Sequence, residues 1–235
     1  MTLQYILIDI EGTVSPIPFV HKVLFPYSRR HLKDYVHAHA NDPIVQSSLD
    51  ATRATALSEN QQSLSDAAAV DRLLHWIDTD RKHPALKTLQ GLIWRQGYEG
   101  GEFISEIYAD VYPVLAAWQQ RGLELGIYSS GSAQAQILLF KYTDRGDMTP
   151  FFSHFFDTAV GGKRDPTAYT NILAKIAKPA AAVLFLSDIA AELEAAQEVG
   201  IQAIQLVRPG TSATPGQRLA MDFYAVDKLI LNQSC

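Results

Sequence analysis

The sequence predicts an α/β protein: a doubly wound parallel sheet with an all-helical insertion after its first strand. Three observations lead there. Short apolar runs recur along the chain with helical periodicity between them. The second run arrives only after residues 15–118, a stretch rich in helical signals and without a convincing strand. Each run ends in a polar corner carrying an acid, a hydroxyl or a glycine. Strands buried on both faces read as continuous apolar segments, and strand alternating with helix is the mark of a parallel, doubly wound sheet.

The elements follow in order. A first strand over residues 3–8 runs into Asp9-Ile10-Glu11-Gly12-Thr13. The helical insertion covers residues 17–100, with clear periodicity over 66–77 and 86–96 and a polar, alanine-rich loop over 58–69. A crossover of that length exceeds what a single helix needs, so it reads as a second domain, leaving 1–16 and 101–235 as the core. A helix over 102–121 returns the chain to the sheet. Strands at 123–128, 155–158, 182–186 and 201–207 then alternate with helices at 133–142, 166–175 and 189–199; the second of these opens on Pro166 and the third is closed by Gly200.

Composition narrows the function. Of 235 residues, 47% are hydrophobic and the formal net charge is −5, with no basic stretch. Nucleic acid and anionic membrane surfaces are therefore poor partners, and a small molecule is expected. One cysteine, Cys235, cannot form an internal disulfide, which fits a reducing cytoplasm. No apolar stretch reaches the ~18–20 residues that span a bilayer, and no basic leader precedes the first apolar run. Trp76, Trp94 and Trp118 read as packing residues, and the histidines near the start of the insertion read as solvated or core residues.

In an open α/β sheet, ligands bind beyond the carboxyl ends of the strands, so the residues just past each strand matter most. Here they are Asp9 and Glu11, then Ser129-Ser130-Gly131-Ser132, then Gly161-Gly162-Lys163, then Ser187-Asp188 with Glu192 one turn later. Each has a plain structural explanation: an acidic turn, a polar turn, a solvated lysine, a helix cap. Taken together they supply a nucleophile, hydroxyl and amide donors, a cation and further carboxylates. That set suits phosphoryl transfer, with Mg²⁺ held by Asp9, Glu11 and Asp188, phosphate oxygens met by Ser130, Gly131 and Lys163, and Asp9 attacking phosphorus.

These motifs resemble the haloacid dehalogenase-like phosphohydrolases. The resemblance is closer to the enolase-phosphatases of methionine salvage, also called acireductone synthases. It rests on Asp9-Ile10-Glu11-Gly12-Thr13, on residues 86–94 with Gly97-Tyr98, on residues 128–132 and on residues 185–188, with glutamate rather than aspartate at position 11. It implies a helical cap in the insertion and a two-stage reaction on 2,3-diketo-5-methylthiopentyl-1-phosphate, a phosphorylated diketone that is enolised and then dephosphorylated to the acireductone. It assigns one Mg²⁺ per chain to Asp9, Glu11 and Asp188, catalysis to Asp9 and Glu11, and substrate contacts to Ser129, Ser130 and Lys163. Whether Glu11 meets the metal through its side chain or its backbone stays open. The expected enzyme is a monomeric, cytoplasmic phosphoric monoester hydrolase.

Other readings remain. A phosphatase of the same superfamily could act on a different phosphorylated metabolite, since the core residues touch only phosphate. A dehalogenase acting at carbon has no need of Glu11 and Asp188. A phospho-receiver module is also doubly wound with a reactive aspartate, but lacks so long a helical insertion.

Overall fold

A computed structural model describes residues 2–232, so Cys235 lies outside the described residues. The chain divides into two compact units, one formed by residues 1–19 and 104–235 and the other by residues 20–103.

The first unit is built on six parallel strands: β1 (Tyr5–Ile8), β2 (Glu124–Tyr128), β3 (His154–Phe156), β4 (Val183–Ser187), β5 (Gln202–Leu206) and β6 (Leu219–Ala220). Their order is β3-β2-β1-β4-β5-β6, with β1 central. In register, Ile8 lies beside both Ile127 and Leu186. The chain first winds from β1 toward β3 and then returns to the other side of β1, so the carboxyl ends of β1, β2 and β4 meet at the reversal point where such sheets bind ligands.

Alternation along the strands divides the core into two apolar layers. Ile6, Ile8, Leu125, Ile127, Leu184 and Leu186 share one face, with residues from three helices that the chain forms later. Tyr5, Leu7, Tyr128, Val183 and Phe185 point to the other. Gly126 makes room within this second layer: a Cβ there would lie 1.9 Å from the Tyr5 hydroxyl.

After β1 the first unit continues with a single turn, α1 (Ile17–Phe19). The second unit follows with a π-helical turn, Val20–Leu24, and the helices α2 (Phe25–Ala38), α3 (Pro43–Asn60), α4 (Asp66–Asp78) and α5 (Pro84–Glu99). Capping explains three of these starts. Asp42, Ser65 and His83 each accept a hydrogen bond from an amide in the first turn, and proline opens both α3 and α5. The apolar faces close on one another around Leu32, Val45, Leu49, Leu73, Trp76 and Leu89. The loop expected over 58–69 is shorter than the sequence suggested, since α3 runs to Asn60 and α4 begins at Asp66.

The remaining helices belong to the first unit: α6 (Val111–Gln120), α7 (Ala133–Lys141), α8 (Pro166–Ile176), α9 (Ala190–Glu198) and α10 (Phe223–Leu231). Helices α6, α7 and α10 pack on the face of Ile6 and Ile8, whereas α8 and α9 pack on that of Tyr5 and Leu7. The return helix expected over 102–121 is a correction, because only Val111–Gln120 is helical. The preceding backbone bonds elsewhere: Ser105 N donates to Tyr142 O (2.7 Å) and Tyr108 N to Val14 O (3.0 Å). Strand β6 was also not anticipated; at two residues it carries no periodic signal. No helix among the described residues is long and apolar enough to cross a membrane.

Candidate active site

At the end of β1 the backbone folds back on itself. The Ile10 carbonyl accepts from the amides of Thr13 (3.2 Å), Val14 (2.9 Å) and Ser15 (3.0 Å), while Gly12 N donates to Ser15 O (2.8 Å). Gly12 sits at φ +74°, and a Cβ there would lie 2.6 Å from Asp188 Oδ2. Two demands thus meet at one residue, a left-handed backbone and close approach to a carboxylate. Asp9 is buried, anchored by its amide to Leu186 O (2.9 Å), and its Oδ2 accepts from the Thr13 hydroxyl (3.2 Å). Glu11 is exposed. Both acids line one cleft, and because the strand ends at Ile8 it is the turn that brings them there.

Past β2, Ser129 is buried and its Oγ accepts from Gly131 N (3.2 Å); Ser130 is exposed, and Ser132 caps α7. The Gln136 amide ties this loop down by donating to Gly131 O (2.8 Å) and Phe156 O (2.7 Å).

Lys163 departs from the solvated lysine that its glycine neighbours suggest. It is only 7% exposed. Its ammonium bonds Asp9 Oδ1 and Glu192 Oε2, the latter at 2.6 Å. Two tyrosine hydroxyls hold the loop in place, Tyr128 donating to Gly161 O (2.9 Å) and Tyr169 to Lys163 O (2.8 Å). Past β4, Asp188 is buried and the N-cap of α9 is Ile189, so Asp188 does not serve as the helix cap. Glu192 also accepts from the Ser187 hydroxyl (2.9 Å).

Asp9, Glu11, Ser129, Ser130, Lys163 and Asp188 therefore line a single cleft of about 160 Å³, joined by Ile17, Ile189 and Glu192. Its charge is unbalanced, with four carboxylates facing one ammonium. Burial alone would depress the Lys163 ammonium, but Asp9 and Glu192 outweigh that and hold it well above the usual lysine range. Glu192 is raised by burial and then by Asp9, against the pull of Lys163. Burial, followed by Asp9 and Glu192, lifts Asp188 to about 7.

The residues fit a divalent cation by this surplus of hard oxygen donors. Among the described residues no three acids already close round one point. An acidic rim of this kind suits Mg²⁺, which keeps waters and shares its shell with substrate phosphate.

Two expected results arise here. Folded Asp188 keeps its proton between its ordinary value near 3.8 and about 7, a range in which the unfolded chain has lost it. Stability therefore falls as pH rises through that window. With a chelator present, the melting temperature should be several degrees lower near pH ~8 than near pH ~5.5, and added Mg²⁺ should restore more at the higher pH. A flat profile would refute the charge imbalance. In the second, Gly12→Ala forces a side chain into the left-handed region at a cost of ~1–2 kcal/mol and into the space of Asp188. Turnover should fall ~10²-fold, the scale of a 1 Å misplacement, and steady-state rates beside a melting curve check it.

Comparison with known proteins agrees with this geometry. Residues 3–200 match the family model for haloacid dehalogenase-like hydrolases. An enolase-phosphatase E1 from Picosynechococcus is 45% identical over 227 residues, covering 97% of this chain and 99% of that relative. The chain belongs to the enolase-phosphatases of the haloacid dehalogenase-like hydrolases. Another enolase-phosphatase E1, from Pectobacterium carotovorum, is 47% identical over 96% of this chain and 97% of its own. The crystal structure of the UTR4 protein of Saccharomyces cerevisiae superposes with a TM-score of 0.77 at 33% identity, covering 94% of this chain and 98% of that one. An L-2-haloacid dehalogenase at 18% identity and a TM-score of 0.59 shares the fold alone. As an enolase-phosphatase the chain is a hydrolase of methionine salvage.

Proposed function

We propose that the chain converts 2,3-diketo-5-methylthiopentyl-1-phosphate, through its enol phosphate, to 1,2-dihydroxy-3-keto-5-methylthiopentene and phosphate. The observation that carries this reading is the Asp9 carboxylate at the sheet's reversal point, held by Lys163 in a cleft lined by Ser129, Ser130 and three further acids. The full-length relatedness to enolase-phosphatases supplies the choice of substrate.

Asp9, Glu11 and Asp188 would hold one Mg²⁺, which when bound neutralises phosphate charge and polarises the diketone oxygens. Lys163 and the Ser130-Gly131 loop meet the remaining phosphate oxygens. An Asp9 oxygen attacks phosphorus, and the bond to the ester oxygen breaks with its electron pair. Glu11, at the exposed mouth of the cleft, passes a proton to the departing oxygen and then takes one from the water that opens the aspartyl-phosphate. One water is consumed and one phosphate released. The helical unit acts as the cap, and the protein works as a cytoplasmic monomer on a small molecule.

The test is to supply the diketo phosphate with Mg²⁺ and with chelator. Acireductone and phosphate should both form, and chelation should stop both. Phosphate release from many unrelated esters, with the diketo phosphate left unenolised, would reduce the reading to a general phosphatase of the superfamily.

A further inference from the structure

Arg208 lies two residues past the end of β5 and is only 6% exposed, yet it does not line the cleft. Its guanidinium forks onto Asp110, with Nη1 on Oδ1 at 3.1 Å and Nη2 on Oδ2 at 2.7 Å. Its central carbon lies over the Tyr108 ring, 4.2 Å from the ring centre. Asp110 Oδ2 also accepts the Phe223 amide at 2.7 Å. The pair is thus satisfied on several sides, as a buried ion pair must be if it is to persist. A well-packed apolar pair would hold these elements together as well, so the charge calls for another explanation.

Its Nε supplies one. Arg208 Nε donates to the Thr13 carbonyl at 3.2 Å, and the Thr13 hydroxyl donates to Asp9 Oδ2 at 3.2 Å. Lys163 holds the other oxygen, Oδ1. We propose that the buried Asp110–Arg208 pair is a positioning device for the nucleophile: through Thr13 it fixes the catalytic turn and thereby the orientation of the Asp9 carboxylate. Arg208 touches no reacting atom; it acts only through the turn. The planar fork matters, because a lysine keeps the charge but cannot grip Asp110 with two bonds while reaching Thr13 with a third.

The inference rests on the reading of Asp9 as nucleophile, so the experiment carries its own control. Steady-state rates are measured with Mg²⁺ on the diketo phosphate and on p-nitrophenyl phosphate, a probe of phosphoryl transfer alone. The variants are Arg208→Lys, Thr13→Val, their double variant and Asp9→Asn, each with a melting curve. Folded Arg208→Lys should lose about 10- to 100-fold in kcat on both probes with KM within about twofold of wild type, since orientation is lost but phosphate contacts are not. Thr13→Val, which keeps the shape and loses the hydroxyl, should do the same. Because both break one relay, the double variant should fall no more than about threefold below the worse single.

Multiplying effects in the double variant, or wild-type kcat in folded Arg208→Lys, would overturn the proposal. If Arg208→Lys does not fold, Thr13→Ser and Thr13→Val decide: serine should restore kcat and valine should not, and a fully active valine variant overturns the relay. An active Asp9→Asn would instead sink the reading of the nucleophile. Silent Arg208 and Thr13 variants beside a dead Asp9→Asn would remove the positioning device alone.

Discussion

Replacing Asp9 with asparagine is expected to cut phosphate release by at least ~10³-fold, the scale at which covalent catalysis fails when its nucleophile is removed. The substitution changes charge with little change of shape, and the site is built to detect that change. Asp9 is buried, with one oxygen on the Lys163 ammonium and the other on the Thr13 hydroxyl. An amide still accepts one of these bonds but cannot attack phosphorus. Enolisation makes a different demand, a polarised carbonyl and a base. If Glu11 and Asp188 retain Mg²⁺, the diketo phosphate should still enolise, and an enol phosphate absorbing in the near ultraviolet should accumulate without phosphate. Near-normal phosphate release would dismiss Asp9 as the nucleophile. Absence of both products at saturating Mg²⁺ would mean that the two steps share Asp9.

The corners of the site were legible because parallel sheets place function directly after each strand. Position alone singled out Asp9, Ser129, Ser130, Lys163 and Asp188, and all of them line the cleft. Their surroundings were harder to read. Glycines beside Lys163 signal an open loop, and what ties that loop inward is a pair of hydroxyls, Tyr128 and Tyr169, on rings buried in the second apolar layer. Arg208 follows no motif, and its partners Asp110 and Thr13 lie 98 and 195 residues away along the chain. The return segment before α6 misled for a related reason. Its amides serve Tyr142 and Val14, and helical periodicity cannot reveal bonds made to distant backbone.

Lys163 carries the second large effect, and here the structure changes what should be expected. From its loop position, removing it should harm catalysis and spare the fold. Buried and bonded to both Asp9 and Glu192, it is also the cation that offsets their charge. Lys163→Met should therefore lower phosphate release ~10²- to 10⁴-fold, as expected when a preorganised charge facing the transferring phosphoryl group is lost. It should also destabilise the protein by up to ~3–5 kcal/mol, the cost of breaking a buried pair by removing one partner. The sign with pH separates the two causes. Without the ammonium, Glu192 and Asp188, both already raised by burial and by Asp9, lose the charge that opposes that rise, so the stability deficit should be largest near pH ~8 and shrink toward pH ~5 as protons take the place of the lost cation. Mg²⁺ should recover part of the stability at the higher pH by the same logic, but not the rate, because it cannot stand where the ammonium meets the phosphate. Melting curves of the variant with chelator, at both pH values and beside Lys163→Arg, provide the measurement. An unchanged melting temperature near pH ~8 would mean that Lys163 faces water in solution, and its role would then be confined to the moment of phosphoryl transfer.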